Sequence, residues 1–160
     1  MRCFKPIINK NTKILILGSF PGVKSLSARQ YYAHPQNQFW KILSDILEIN
    51  LVSMSYKEKV KALLKNGIGL WDMVNSCSRK GSSDTSIRNS RLNDIESIIE
   101  KYPNIQVIFF NGHASQKLFI KSGCVYSNNR YLSSTSPAYT AGYQNKKKRW
   151  SEILRYMRAK

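Results

Sequence analysis

The sequence predicts an α/β fold in which a mostly parallel sheet is covered by helices on both faces. Short apolar runs indicate strands that are buried on both sides, and "ILIL" and "IQVIFF" are the clearest of them. Segments whose apolar residues recur at helical spacing separate these runs. Strands that alternate with helices are typical of a parallel sheet. A length of 160 residues favours a single domain over residues 1–160.

The first half of the chain supplies two strands and two helices. The first strand is the run at residues 14–17, and it ends in the turn "GSFPG". The helices "QNQFWKILSDILEI" and "YKEKVKALLKNG" follow, with Pro35 just ahead of the first and Gly67 ending the second. "IGLWDMV" is predicted to be the second strand, and the polar "SCSRKGSSDTSIRNSR" a long loop.

The second half continues the alternation, which gives the order β-α-α-β-α-β-α-β-α. The helix "LNDIESIIEKYP" closes at Pro103, and the strand "IQVIFFNG" leads into the helix "HASQKLFIKSG". "YLSSTSPAY" is predicted to be a short strand that runs into a Ser/Pro loop. "NKKKRWSEILRYMRA" is predicted to be a C-terminal helix.

Charge is the strongest global signal. Lys and Arg number 26 against 9 Asp and Glu, so the net charge is +17. A field of this size attracts polyanions, with nucleic acid as the first candidate and an anionic membrane surface as the second. Solubility alone is the third interpretation.

Other global features point to a cytoplasmic protein. No apolar run is long enough for a membrane span, and the first residues lack the apolar core of a signal peptide. Cys3, Cys77 and Cys124 are scattered and form no CxxC, so neither a disulfide framework nor a zinc site is expected.

Four loops are expected to surround one crevice. In open parallel sheets, ligands bind outside the carboxyl ends of the strands. This rule selects "GSFPG", "WDMVNS", "FNGHAS" and "SSTSPAY", with "QYYAHPQNQFW" just downstream of the first.

Three common chemistries fit the crevice poorly. "GSFPG" lacks both the GxGxxG spacing and the Lys-Ser/Thr of a P-loop. Ser19, a histidine (His34 or His113) and Asp72 offer a hydrolase triad, but "GSFPG" is not GxSxG and is not expected to lead straight into a helix. No metal ligands stand at helical spacing, so a metal site is not expected.

Rings and amides without an acid–base pair remain. Tyr31 and Tyr32 could stack on a base, and the Asn37 amide could hydrogen-bond a base edge or position a water. Such a site suits a reaction whose leaving group departs early. Cleavage of a glycosidic bond in a flipped nucleotide is one example.

These segments together resemble the uracil-DNA glycosylase superfamily. "GSFPG" followed by "YYAHPQNQFW", "WDMVNSCSRKGSSDTSIR", "FFNG" and "STSPAYT" is most similar to the hypoxanthine-DNA (deoxyinosine) glycosylases, and next to the mismatch-specific uracil glycosylases. The resemblance spans nearly the whole chain. It implies a three-layer α/β/α sandwich with a four-stranded sheet, and removal of deaminated bases from DNA without a cofactor or metal.

The resemblance also assigns roles to residues. It makes Asn37 the critical catalytic amide and Tyr32 the ring that stacks on the base. It puts "GSFPG" beside the flipped nucleotide, but Phe20 stands where many relatives carry a water-activating Asp or Asn. Asp72 stands at the end of the second predicted strand, so we expect its carboxylate to accept a hydrogen bond from an N–H on the base edge. The base-binding candidates are Gly18, Ser19, Phe20, Tyr32 and Asp72.

A second set of residues is expected to contact the DNA backbone or to fill the space left by the flipped base. In "STSPAYT", at residues 134–140, Ser136 would contact phosphate and the next three residues would form a wedge. The DNA-binding candidates are Pro21, Gly22, Ser134, Thr135, Ser136, Pro137, Ala138, Tyr139, Lys146 and Lys147.

Structural roles remain open for most of these residues. Asn37 could cap the first long helix, Tyr32 could cover the core, and Asn111 could be a turn residue. Asp72 could pair with a cation. The Ser/Pro loop could be a plain polar turn, and Lys146, Lys147, Lys148 and Arg149 could be a solvated helix face.

The sequence therefore predicts a monomeric, monofunctional DNA glycosylase that acts on DNA containing a deaminated base. Hypoxanthine is the first choice, with uracil and xanthine open. No lysine in the motif loops suggests a lyase step. Two alternatives stay open: a non-catalytic nucleic-acid-binding domain on the same fold, and an enzyme acting on a free nucleoside or nucleotide.

Overall fold

The central sheet has four parallel strands. The computed structural model describes residues 1–157. Within them the sheet consists of β1 (Ile14–Gly18), β2 (Ile68–Asp72), β5 (Val107–Asn111) and β6 (Asn129–Leu132). The strand order is β2-β1-β5-β6, and every neighbouring pair is parallel. All four strands therefore end at the same edge of the sheet.

Seven helices and three short 3₁₀ turns surround the sheet within the described residues. The helices are α1 (Val23–Ala28), α2 (Phe39–Leu47), α3 (Tyr56–Lys65), α4 (Ile95–Lys101), α5 (His113–Ser122), α6 (Tyr143–Trp150) and α7 (Leu154–Met157). The 3₁₀ turns are Leu51–Ser53, Asp84–Ser86 and Ser151–Ile153.

The apolar runs form strands because both of their faces are covered. Ile14 and Ile16 of β1 pack with α2, α3 and α6 on one side, around Phe39 and Trp150. Leu15 and Leu17 pack on the other side with residues of α4 and α5. The same alternation holds in β5, where every apolar residue is buried. The predicted three-layer α/β/α arrangement is thus confirmed.

The prediction of one long loop at residues 76–91 is wrong. An antiparallel hairpin occupies this part of the chain, formed by β3 (Val74–Ser78) and β4 (Arg88–Leu92). "IGLWDMV" is accordingly divided at Met73 between β2 and β3. The hairpin has no alternating apolar pattern because β4 is exposed from Arg88 to Arg91. Its irregular register further weakens the signal.

Helix boundaries also differ from the prediction at three places. "GSFPG" leads directly into α1, because Gly22 is the residue before Val23, so that expectation was wrong. The next helix begins at Phe39 and not at Gln36, since a turn precedes it. The C-terminal helix begins at Tyr143 and is interrupted by a 3₁₀ turn. Its predicted end, at Arg158 and Ala159, lies outside the described residues.

Residues 1–157 contain no candidate membrane span, metal cluster or disulfide. None of the helices there combines the length and apolar character needed to cross a bilayer. No group of three or more His, Cys, Asp or Glu side chains in that range is arranged to hold a metal ion. Cys3, Cys77 and Cys124 are not joined to one another by a disulfide.

Candidate active site

A cavity of about 160 Å³ lies at the carboxyl ends of the strands. Its volume is close to the ~150 Å³ of a cavity known to accept one small aromatic molecule. Loops following β1, β2, β5 and β6 all contribute to its wall, as the strand-end rule predicts. The lining residues are Gly18, Ser19, Phe20, Pro21, Gly22, Val23, Lys24, Ser25, Tyr31, Tyr32, His34, Asn37, Asp72, Ser82, Asp84, Asn111, Ser134, Thr135, Ser136 and Pro137.

Tyr32 presents a braced aromatic ring to this cavity. Its backbone is in the left-handed region, with φ of 55°, a conformation that non-glycine residues adopt at some cost. Phe39 stacks against the ring with centroids 4.0 Å apart. Burial, and then the nearby Asp72 carboxylate, raise the pKa of the Tyr32 hydroxyl, which therefore stays protonated at neutral pH. Tyr31 also reaches the cavity wall, but it belongs to the core: it is 3% exposed and its hydroxyl donates to the Lys5 carbonyl.

Asn37 has one end of its amide occupied and the other available. Its Oδ1 accepts a hydrogen bond from the Phe39 N–H at 3.0 Å, so the residue does brace the start of α2. No described residue accepts a hydrogen bond from its Nδ2. Asn37 lines the cavity, so the Nδ2 donor is the part of the side chain left for a ligand.

Asp72 is a buried carboxylate at the end of β2. It is 4% exposed, and its Oδ2 forms no hydrogen bond with any described residue. Burial and the Asp84 charge raise its pKa to about 7, while Arg79 opposes the shift. Gly18 permits this placement, because a Cβ on that residue would lie 2.5 Å from the Asp72 Oδ1.

The hairpin missed by sequence reasoning holds the "GSFPG" loop. The Ser19 hydroxyl donates to Asp84 at 2.6 Å, and the Val23 N–H donates to the Ser82 hydroxyl at 2.9 Å. The guanidinium of Arg79 donates to the Pro21 carbonyl. Asp84 and Ser82 thus belong to the cavity wall, although only the polar composition of their segment could have drawn attention to them.

The site therefore contains carboxylates as well as rings and amides. We expected no acid–base pair, but Asp72 and Asp84 both line the cavity. Desolvation raises the pKa of Asp84, and the hydrogen bond from Ser19 opposes the shift. Phe20 adds no polar group: its side chain is buried with Val74 and Cys77.

Asn111 ties the Ser/Pro loop, residues 134–140, to the sheet. Its Nδ2 donates to the Thr135 hydroxyl at 2.9 Å, and its Oδ1 accepts from the Thr135 N–H at 3.0 Å. The base of the loop is therefore fixed at the end of β5. Ser134, Ser136 and the exposed Pro137 line the cavity, whereas Ala138 and Tyr139 are exposed beyond it.

Three residues predicted to contact DNA do not fit that role on the outer surface. Pro21 is buried, Thr135 is fully buried, and Lys146 is 2% exposed. Their side chains are therefore not presented to a duplex. Lys147 is partly exposed, with its ammonium 3.9 Å from the Asp45 carboxylate, and Gly22 is partly exposed at the cavity.

The described residues do not assemble a Ser/His/Asp triad. Ser19 donates its hydroxyl proton to Asp84 and not to a histidine. The Nδ1 of His34 accepts from the Gln36 N–H, and His113 stacks on Tyr131 away from the cavity. The geometry thus agrees with the failed sequence pattern.

Comparisons with known proteins converge on one family. The model of the uracil DNA glycosylase superfamily matches residues 6–158. Hypoxanthine DNA glycosylases from Methanosarcina barkeri and Methanosarcina acetivorans are both 36% identical to this chain. The M. barkeri match covers 95% of this chain and 96% of that protein, and the M. acetivorans match covers 97% and 98%.

Two further matches, one to a sequence and one to a solved structure, also carry uracil DNA glycosylase names. A G/U mismatch-specific uracil DNA glycosylase from Schizosaccharomyces pombe is 34% identical over 54% of this chain and 26% of that protein. The solution NMR structure of a candidate uracil DNA glycosylase from M. acetivorans superposes with a TM-score of 0.84 at 34% identity. That superposition covers 99% of this chain and 98% of the other.

Proposed function

The chain belongs to the uracil DNA glycosylase superfamily, and on that premise we propose that it is a monofunctional DNA glycosylase that removes a deaminated base. It hydrolyses the N-glycosidic bond and leaves an abasic site. One observation carries the proposal: a cavity sized for a small aromatic molecule joins a ring, a free amide donor and a buried carboxylate at the strand ends. Hypoxanthine is the proposed base, in keeping with the names of the two 36% identical relatives.

Recognition of the base follows from the groups that remain unpaired. Hypoxanthine, uracil and xanthine each carry a ring N–H next to a carbonyl oxygen. The Asp72 carboxylate accepts that N–H, and the Asn37 Nδ2 donates to a carbonyl oxygen. The ring of Tyr32, held from behind by Phe39, stacks on the base.

Cleavage depends on charge stabilisation more than on a strong base. Departure of the base leaves a positive sugar, which nearby negative charges stabilise. Phe20 cannot orient water, so we assign that task to Asp84, whose carboxylate is held by Ser19 at the cavity. The DNA phosphates supply the remaining negative charge.

DNA is held by the exposed surface around the cavity. The tip of the Ser/Pro loop, Pro137 to Tyr139, fills the space left by the flipped base, and Ser136 contacts phosphate. Lys147 and the exposed Lys24 at the cavity contact the backbone. We also propose that the protein acts in the cytoplasm as a single-domain monomer, in which the strand-end loops of one chain form the cavity.

Base release from defined duplexes tests this function. Duplexes with one hypoxanthine, uracil or xanthine are incubated with excess protein, and strand breakage is read after alkali. We expect release of hypoxanthine, with a rate about 100-fold lower or more in Asn37→Ala, because a positioned hydrogen bond to the leaving base is lost. Breakage without alkali would contradict the monofunctional assignment and would point to Lys24.

Asn37→Asp is the matched variant. Its side-chain oxygen still accepts from the Phe39 N–H, but the donor is gone. If Asn37 only braces α2, Asn37→Asp will retain the activity that Asn37→Ala loses. Binding of undamaged duplex is measured in parallel, so that repulsion by the new charge is recognised. DNA binding without release of any base would leave a nucleic-acid-binding domain. If the protein releases hypoxanthine from free deoxyinosine as efficiently as from DNA, the result would favour an enzyme that acts on free nucleosides.

A further inference from the structure

Lys146 is buried although it lies in the most basic run of the chain. It is 2% exposed, whereas Lys147 is partly exposed and Lys148 is exposed. Desolvation lowers its pKa. Burial of an ammonium is unfavourable unless hydrogen bonds compensate for the lost water, so its partners identify what the side chain does.

Those partners belong to two different parts of the site. The Nζ of Lys146 donates to the Gln38 Oε1 at 2.9 Å and to the Tyr139 carbonyl oxygen at 2.7 Å. Gln38 follows Asn37 directly, and its own N–H donates to the Thr135 carbonyl at 3.0 Å. One ammonium thus connects α6, the residue after the catalytic amide, and the loop that meets DNA.

The tip of the Ser/Pro loop has few other attachments. Its remaining backbone hydrogen bonds are local: the Ala138 N–H donates to the Ser136 hydroxyl, and the Tyr139 N–H donates to the Ser136 carbonyl. Among the described residues, Lys146 provides the one hydrogen bond from outside the loop to the main chain of residues 137–140. Its ammonium also lies 5.2 Å from the centre of the Tyr139 ring.

We propose that Lys146 is a positioning residue that sets the tip of the Ser/Pro loop relative to Asn37, so that insertion of the loop into the duplex and placement of the flipped base occur together. The inference rests on the proposed function. It replaces the expectation that Lys146 contacts DNA, because its buried ammonium donates to two protein acceptors, Gln38 and Tyr139. A loop that has lost this connection would still enter the duplex, but the flipped base would be misplaced relative to the Asn37 amide.

This role matters only where a base must be displaced from a stack. A single strand already offers unstacked bases, whereas a duplex requires extrusion of the nucleotide. Loss of the connection should therefore slow release from duplex DNA more than release from single-stranded DNA. A general loss of stability or of one positive charge would not make this distinction between substrates.

The experiment compares Lys146→Met with Lys148→Met. Both variants remove one positive charge from α6, and methionine's unbranched apolar chain suits the buried position. Hypoxanthine release is measured in single turnover with excess protein, from one sequence as duplex and as single strand. We expect the duplex-to-single-strand rate ratio to fall about tenfold in Lys146→Met, as insertion is needed only for the duplex. In Lys148→Met the ratio should be unchanged.

Other results overturn the inference. Equal loss on both substrates in Lys146→Met, or an unchanged ratio, would show that the residue does not position the loop. If Lys146→Met does not fold, Gln38→Met cuts the same connection at its other end and should lower the same ratio. Wild-type protein that releases no base from either substrate would overturn the proposed function itself, and this inference with it.

Discussion

Asp72 is the residue whose chemistry depends most on its surroundings. Its Oδ2 is buried without a hydrogen-bond partner among the described residues, and its pKa is raised to about 7 from an ordinary value of 3.8. Asp84, Arg79 and the Tyr32 hydroxyl face it. A carboxylate left unpaired in this way is costly to the fold, which is consistent with a site kept for a ligand.

The stability of the protein should therefore depend on pH through Asp72. Between about pH 4 and pH 7 the folded protein holds a proton here that the unfolded chain releases, so the free energy of unfolding falls as pH rises. Relative to Asp72→Asn, wild type should lose on the order of 4 kcal/mol between about pH 4 and about pH 8. Urea unfolding of both proteins at several pH values measures this difference.

Asp94 provides a control of opposite sign. Hydrogen bonds from Ser97 lower its pKa, so its contribution to stability is present above the ordinary pKa and is lost as pH falls. The free energies of unfolding of Asp94→Asn and of wild type should therefore become equal as the pH falls into the acid range. A wild-type to Asp72→Asn difference that stays constant from acid to mild alkali would show that Asp72 titrates normally.

At the scale of elements, burial decided which parts of the fold could be predicted. β1 and β5 were predictable because helices cover both faces, which leaves a continuous apolar run in the sequence. The β3–β4 hairpin was missed because its second strand is exposed. The six-residue α1 was missed as well, because so short a helix depends on tertiary contacts more than on its own sequence.

The missed elements explain which site residues escaped prediction. Tyr32, Asn37, Asp72 and the Ser/Pro loop stand next to strand ends or a recognised motif, and all of them meet at the cavity. Asp84 comes from the hairpin, and the sequence does not show that a polar loop 65 residues away reaches Ser19. Lys146 was predicted to contact DNA because its neighbours in the chain are basic. The sequence does not indicate which lysine of such a run is buried.

The hairpin should be needed for activity more than for folding. Arg79 donates to the Pro21 carbonyl and lies over the Phe20 ring, but its Nε and Nη1 are buried without hydrogen-bond partners among the described residues. Replacing it with methionine removes those unpaired donors along with the attachment of "GSFPG". We therefore expect Arg79→Met to change the free energy of unfolding by only about 1 kcal/mol, and to slow hypoxanthine release about tenfold or more, since misplaced catalytic groups carry such penalties.

Arg88→Met is the control on the same hairpin. Arg88 is exposed, and its guanidinium donates to the carbonyls of Thr85 and Ile87 close by in the chain. Chemical denaturation and single-turnover release are measured for both variants. If Arg79→Met matches Arg88→Met in release rate, the hairpin does not hold the "GSFPG" loop in its active position.

At the scale of the whole molecule, the charge is far larger than the cavity needs. Basic side chains exceed acidic ones by 17, and the ion pairs seen among the described residues are Arg130–Glu152 and Lys147–Asp45. Most of the positive charge is therefore left to attract a polyanion. A pocket that bound a free nucleoside would gain little from such a field, whereas a protein that must find one altered base along DNA gains affinity and encounter rate.

Binding to duplex DNA should accordingly be steeply dependent on salt. Each phosphate contact releases counterions, so affinity for an undamaged duplex should fall about 100-fold or more between about 50 and about 200 mM salt if several basic side chains engage. Fluorescence anisotropy of a labelled duplex measures this slope. The single-turnover rate of base release at saturating protein should change little over the same range, because Tyr32, Asn37 and Asp72 act inside the cavity, away from mobile ions. Salt-independent binding would mean that the net charge serves solubility and that recognition lies in the cavity alone.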